Sequence, residues 1–198
     1  MRSKKMVVLS HCILNVNSKV EGFEPFSPMI RELVDEIERQ GYGIIQLPCP
    51  EILLLGMRRW GVVKEQLSHD HAKDTMRRMI RPIIEQIRSY WDVGYTVSCV
   101  IGIDGSPSCG VNFTCKSDRW KGELGFGDLQ AILKDVRIEK EMGIFMELLK
   151  EAIDSTGQKI FTAAFIPRVA GNLIDKIGSC ILVSQILRYI PNNLVGKK

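Results

Sequence analysis

Short apolar runs alternate with amphipathic stretches along most of this chain. The runs with the length of buried strands are 6–12, 43–47, 95–103 and 159–166. Apolar residues recur at helical spacing in three intervening stretches and in one final stretch, namely 27–41, 69–90, 138–154 and 170–189. This order predicts an α/β fold: a three-layer, Rossmann-like domain with a mostly parallel sheet.

Helix-capping and helix-breaking residues refine this prediction. Ser27 is expected to cap the first long helix, followed by Pro28 in its first turn, and Gly41 lies just past its end. Pro82 is expected to kink or split the helix predicted over 69–90. Residues 104–128 are rich in Gly, Ser, Asp and Lys and predict a long loop, and loops of that length are uncommon unless functional or mobile.

Size and charge narrow the class of protein. The 198 residues suit a single α/β domain, 1–198. The net charge is +4, and no dense Lys/Arg block with aromatics occurs, so nucleic-acid binding is not expected. Scattered cations at Arg58, Arg59 and Lys64 would suit an anionic small molecule. No secretory signal and no apolar stretch of about 18 residues is found, so a cytoplasmic protein without a membrane span is expected.

Cysteine is the most informative residue type here. In the reducing cytosol the six cysteines are expected to be buried thiols, ligands or nucleophiles rather than disulfides. Cys12, Cys49 and Cys109 each follow a predicted strand, and the carboxyl ends of parallel strands meet at one edge of a sheet. Three thiolates there would hold a soft metal centre and leave one metal position open.

The other cysteines have plainer interpretations. Cys99 lies inside a predicted strand and Cys180 inside an apolar helix, so both are expected in the core. Cys115 follows Cys109 by six residues in the predicted loop. It is either a spare ligand, a resolving thiol or an ordinary exposed residue.

Polar residues beside these cysteines add candidate chemistry. Glu51 lies two residues after Cys49, where a carboxylate near a metal-bound group acts as general acid or base. Ser106 and Ser108 place two hydroxyls beside Cys109. The alternative is a rigid turn at Pro107 and Gly110 whose serines satisfy backbone groups.

The segments SHCILN, CPE and GSPSCG resemble the conserved boxes of the DUF523 family, which includes the thiouracil desulfurase TudS. The likeness runs from about residue 6 to residue 167. It implies a [4Fe-4S] cluster held by Cys12, Cys49 and Cys109, with a fourth iron open to the substrate's sulfur. It also implies non-redox hydrolytic desulfuration of a thiocarbonyl such as a thiolated pyrimidine, with Glu51 as acid/base and Ser106 as a positioning hydroxyl.

Two departures from that family indicate a diverged, stand-alone member. Asn15 replaces a common glycine, and GMRRWGVVKE replaces a GLPTPR-like stretch after CPE, so the substrate stays open. Two other functions remain: an iron–sulfur electron-transfer or sensing protein with Cys115 as fourth ligand, and a small-molecule-binding domain whose cysteines are merely buried.

The remaining candidates are minor. His69 and His71 are expected to mark a solvated helix start capped by Ser68 rather than a metal site. Trp60 either stacks on a planar substrate ring or packs, and His11 is a weak candidate for lining the site.

Overall fold

The computed structural model of the chain describes residues 2–22, 27–121, 129–158 and 160–165. Within these ranges the elements are, in chain order, β1 Lys5–Leu9, α1 His11–Leu14, a 3-10 turn Val16–Ser18, α2 Arg31–Arg39, β2 Gly43–Gln46, α3 Pro50–Leu55, α4 Lys64–Leu67, α5 Asp70–Asp92, β3 Thr96–Ile103, β4 Thr114–Lys116, α6 Leu129–Asp135, β5 Arg137–Glu139, α7 Ile144–Asp154 and β6 Phe161–Phe165.

Four of the strands form one parallel sheet in the order β2-β1-β3-β6. The mixed α/β class and the parallel sheet predicted from the apolar runs are therefore confirmed. Because all four strands run the same way, their carboxyl ends lie at one edge of the sheet. The segments that follow β1, β2 and β3 carry Cys12, Cys49 and Cys109 to that edge.

Alternation along β1 divides the core into two clusters. Val8 packs in one cluster with Met76 of α5 and Phe145 of α7. Leu9, the next residue, packs in the other cluster with Ile37 of α2. Burial on both sides of the strand fixes its register, since a slip of one residue would exchange the two sets of side chains.

Several predicted boundaries differ from the structure. The N-cap of α2 is Ile30 and not Ser27, whose hydroxyl instead donates to the Met29 carbonyl at 2.6 Å. Pro82 does not split α5, which continues through it. At the start of α5 the capping atom is Nδ1 of His69, which accepts from the Ala72 amide at 3.3 Å. Ser68 does not cap this helix and donates to the Lys64 carbonyl.

The segment predicted as a loop over 104–128 contains a strand. β4 pairs antiparallel with β5, Thr114 opposite Glu139, which also explains why α7 begins at Ile144 rather than at 138. The predicted helix over 170–189 and Cys180 lie outside the described residues. Among the helices that the structure describes, none is both long enough and apolar enough to cross a bilayer.

A buried lysine joins α4 to the segments around β4 and α7. Lys64 is 8% exposed, and its ammonium contacts Glu141 at 2.8 Å and Glu147 at 2.6 Å. Lys116 of β4 contacts Glu141 as well, at 2.7 Å. Hydrogen bonds from Lys116 and Lys64 lower the pKa of Glu141 to about 2. Lys64 is therefore a structural cation and is not available to an anionic ligand.

Candidate functional site

Three short connections carry the predicted cysteines. Cys12 lies in α1, a single helical turn that follows β1 after Ser10. Cys49 is the N-cap of α3, three residues beyond β2, and Pro50 occupies the first helical position, where its missing amide costs nothing. Cys109 lies in the turn after β3, and its carbonyl accepts from the Ile103 amide at 2.9 Å.

Burial raises the pKa of all three thiols, and Cys12 and Cys49 both lie within electrostatic reach of Cys109. Burial is the main reason why the pKa of Cys109 lies well above its ordinary value, and negative charge on Cys12 and Cys49 raises it further. Burial also raises the pKa of Cys12 to about 12, opposed by the Lys19 ammonium and reinforced by Cys49. Because the thiolate is the reactive form, raised pKa values make these three thiols poor free nucleophiles.

The three thiols differ from the ligand set of a single ion. In the described part of the chain, no three His, Cys, Asp or Glu side chains are close enough to share one ion. In a [4Fe-4S] cluster each thiolate binds a different iron, so its cysteines stand further apart than the ligands of one ion. The chemistry of three largely buried thiols is compatible with such a cluster.

Hydrogen bonds to backbone groups fix the Cys109 turn. The Asp104 carboxylate accepts from the amides of Val111 and Asn112, both at 2.8 Å. On the opposite side, amides at the start of α7 donate to carbonyls of the same turn: Ile144 to Pro107 and Phe145 to Ser108, each at 3.0 Å. The turn that presents Cys109 is therefore fixed from both ends.

A carboxylate lies beside the thiols. The Ser108 hydroxyl donates to Oε1 of Glu51 at 2.6 Å and lies 3.5 Å from the Cys109 sulfur. Ser106 contacts the same carboxylate oxygen at 3.5 Å, while its own oxygen accepts from the Cys109 amide at 3.0 Å. Ser108 therefore makes the shorter bond to Glu51, and Ser106 also secures the turn. Glu51 retains a 13% exposed side chain, which leaves it a route to solvent.

A buried arginine anchors the other carboxylate oxygen. Nε of Arg59 lies 3.3 Å from Oε2 of Glu51, and the arginine side chain is only 3% exposed. Its Nη2 donates to the Ser18 carbonyl at 2.6 Å, in the 3-10 turn that follows α1. Arg59 thus ties the segment after Cys12 to the carboxylate after Cys49.

An open apolar cleft of about 480 Å³ lies between the end of β2 and α5. His11 lines it together with Gln46, Leu47, Pro48, Leu53, Met79, Pro82 and Ile83. None of the three cysteines lines this cleft.

Comparison with known proteins adds one relative. No protein-family model matches the chain, and no solved structure matches it. The chain is 36% identical to the uncharacterized protein MJ0003 of Methanocaldococcus jannaschii over 111 residues, which span 56% of this chain and 70% of that protein. The chain belongs to the family of MJ0003.

In this MJ0003-family chain the structure brings together most of the residues singled out in the sequence. Cys12, Cys49, Cys109, Glu51 and Ser106 all lie at the carboxyl edge of the sheet. Cys99 is fully buried within β3, as expected of a core residue. The side chain of Trp60 is 85% exposed, so it is not packed in the core.

The sequence does not reveal the roles of two residues at this site. Arg59, predicted to suit an anionic ligand, is instead buried against Glu51. Ser108, to which the sequence assigns no role separate from that of Ser106, has the hydroxyl closer to Glu51. The Ser-Pro-Ser turn carries the signal for Ser108, whereas Arg59 lies eight residues from Glu51, beyond the end of α3, and no periodicity links the two.

Glycine at position 102 makes room for the Cys109 turn, and its replacement gives a testable prediction. A Cβ at Gly102 would lie 2.4 Å from the Cys109 carbonyl oxygen and 2.5 Å from a Val111 methyl. Gly102→Ala is expected to lower the free energy of unfolding by about 1–3 kcal/mol, because either β3 or the turn must shift. The measurement is the urea unfolding midpoint.

Gly61→Ala is the matched control, because a Cβ there meets nothing within 4 Å. It is expected to change stability by less than about 0.5 kcal/mol. Equal midpoints for the two variants would show that the turn is not packed against β3 as described.

Proposed function

We propose that this MJ0003-family chain is a [4Fe-4S]-dependent desulfidase that removes sulfur from a thiocarbonyl small molecule, and that it is a diverged, stand-alone relative of the DUF523 family. The observation that carries the proposal is the meeting of three largely buried thiols, from Cys12, Cys49 and Cys109, beside a carboxylate held by hydroxyls. Reduced thiols of this kind suit a cytoplasmic protein.

The finer fold that we propose is a three-layer, Rossmann-like arrangement with the site at the carboxyl edge of the strands. Its support is the parallel order β2-β1-β3-β6, together with the two core clusters formed by neighbouring residues of β1. In open α/β sheets, ligands bind at the carboxyl ends of the strands.

The substrate class follows from the donor set. Cys12, Cys49 and Cys109 would hold the cluster. When bound, the cluster would supply an open iron able to bind and polarise a soft thiocarbonyl sulfur. With three protein thiolates as its ligands, such a cluster would have a fourth iron without a ligand from the chain. A thiolated nucleobase or another thioamide-like compound carries such a sulfur on a planar, electrophilic carbon.

The chain's own residues would supply the proton chemistry. Glu51 would take a proton from water, so that oxygen adds to the thiocarbonyl carbon and the carbon–sulfur bond breaks. The net reaction converts a thiocarbonyl and one water into the oxo compound and hydrogen sulfide, with no net electron transfer. Ser108 and Arg59 each hold one carboxylate oxygen, which fixes the direction of the base.

A single preparation tests this function. Protein purified without oxygen is expected to contain about four irons and about four acid-labile sulfides per chain. Incubation with a panel of thiolated bases and thioamides is expected to release sulfide and the oxo product in equal amounts. Protein that stays free of iron after reconstitution with iron and sulfide would rule the proposal out.

A second function has one observation in its favour. Burial raises the pKa of Cys115 to about 11, and negative charge on Glu51 contributes to that rise, so Cys115 lies near the proposed base. If Cys115 supplied a fourth ligand, the cluster would have no open iron, and an electron-transfer or sensing role would follow. Substitution of Cys115 separates the two functions.

A further inference from the structure

The hydroxyl of Ser10 is an unusual feature of the sheet edge. Ser10 is 0% exposed, and its Oγ is a buried side-chain oxygen that has no hydrogen-bond partner among the described residues. Burying a hydroxyl without a partner costs free energy, and native proteins rarely leave one unpaired. The simplest resolution is a partner that is not a protein atom.

Ser10 does not use this hydroxyl as a helix cap, although it stands at the N-cap of α1. Serine at such a position usually accepts a hydrogen bond from an amide in the first turn. Here the side chain makes no capping bond, and the Ile13 amide donates to the Ser10 backbone carbonyl at 3.1 Å. The hydroxyl proton is therefore free to be donated elsewhere.

The position of Ser10 in the sheet indicates where its hydroxyl can donate a hydrogen bond. Its amide donates to the Ile101 carbonyl of β3 at 3.0 Å, and the Leu47 amide beyond β2 donates to the Leu9 carbonyl at 2.8 Å. Ser10 thus ends the central strand between the two neighbours whose continuations lead to Cys49 and Cys109. It also precedes Cys12 by two residues. It lies at the middle of the edge where the thiols meet.

We propose that Ser10 donates a hydrogen bond to a sulfur of the bound cluster, either a cysteine thiolate or an inorganic sulfide. This inference rests on the proposed cluster and extends it to a residue outside the ligand set. A sulfur that accepts a hydrogen bond donates less charge to iron, which keeps the iron electrophilic and favours the reduced state. Ser10 is a positioning and tuning residue, not a ligand.

The test is Ser10→Ala, compared with the wild-type protein after anaerobic reconstitution with iron and sulfide. Iron content is expected to stay at the wild-type level, and the reduction potential is expected to shift to more negative values. The urea midpoint of the apoprotein is expected not to fall, because the hydroxyl has no partner there to lose. Ser98→Ala is the matched control: this serine is buried in β3, before Cys99, and its loss should leave the potential unchanged.

Each of three other results would overturn the proposed role of Ser10. Full iron content with an unchanged potential would overturn the role of Ser10 and leave the cluster in place. A lower apoprotein midpoint with an unchanged potential would identify the hydroxyl as an ordinary structural donor. A wild-type protein that takes up no iron would overturn the cluster and the role of Ser10 together.

Discussion

Cys109→Ser is expected to remove most of the bound iron from protein prepared without oxygen. Cys109 is the least exposed of the three proposed ligands, at 7%, and its turn is fixed by β3 and α7. Serine replaces a soft thiolate with a hard, weakly acidic hydroxyl, and only two thiolates would remain to hold the cluster. Iron and acid-labile sulfide per chain are the quantities to measure, and Cys12→Ser and Cys49→Ser are expected to behave alike.

Two cysteine substitutions serve as controls for this loss. Cys99→Ala removes a buried thiol within β3 and should leave the iron content unchanged. Cys115→Ala removes the thiol that donates to the Val62 carbonyl at 3.5 Å, and the desulfidase proposal expects both cluster and activity to survive. Iron loss in Cys115→Ala as complete as in Cys109→Ser would instead favour the fully ligated cluster. Full iron occupancy in Cys109→Ser would remove Cys109 from the ligand set.

The parallel sheet could be predicted because burial on both faces leaves long apolar runs. β3 is the clearest case, since its eight residues are buried from Val97 onward, and the sequence run 95–103 predicts it almost to the residue. The ends of such runs also locate the loops, and parallel topology brings those loops to one edge. The meeting of Cys12, Cys49 and Cys109 follows from these two rules.

Periodicity does not detect short elements. β4 and β5 have three residues each and are held by a pairing across more than twenty positions of sequence, so neither has a periodicity to detect. Ser27-Pro28 looks like a helix start, but the backbone of Val16 binds the Pro28 carbonyl at 2.9 Å and the helix begins only at Arg31. Tertiary contacts override local propensity in both places.

The partners of charged side chains are equally hidden from sequence. The sequence does not show whether Arg59, Lys64 and Glu51 are surface charges or members of buried ion pairs. Only the fold shows that Arg59 reaches the Ser18 carbonyl and Glu51 together. The orientation of Glu51 therefore depends on Arg59, which joins α3 to the 3-10 turn, and it could not have been inferred from the spacing of CPE alone.

Glu51→Gln is expected to keep the cluster and to lower turnover of a thiocarbonyl substrate by about 10²–10⁴-fold, the usual contribution of a positioned general base. The amide has nearly the same shape as the carboxylate, and its oxygen can still accept from Ser108. It cannot take a proton from water. Turnover is measured as sulfide release under saturating substrate, with iron content determined on the same sample.

The structure supplies a second variant that separates loss of the base from loss of its orientation. Ser108→Ala removes the 2.6 Å donor to Glu51 but leaves the carboxylate and its contact with Arg59 in place. Its turnover should fall less than that of Glu51→Gln, because the base survives with poorer alignment. Unchanged turnover in Glu51→Gln, with full iron content, would exclude Glu51 from the proton transfer. A loss of iron in that variant would mean that Glu51 supports the ligand cysteines rather than the reaction.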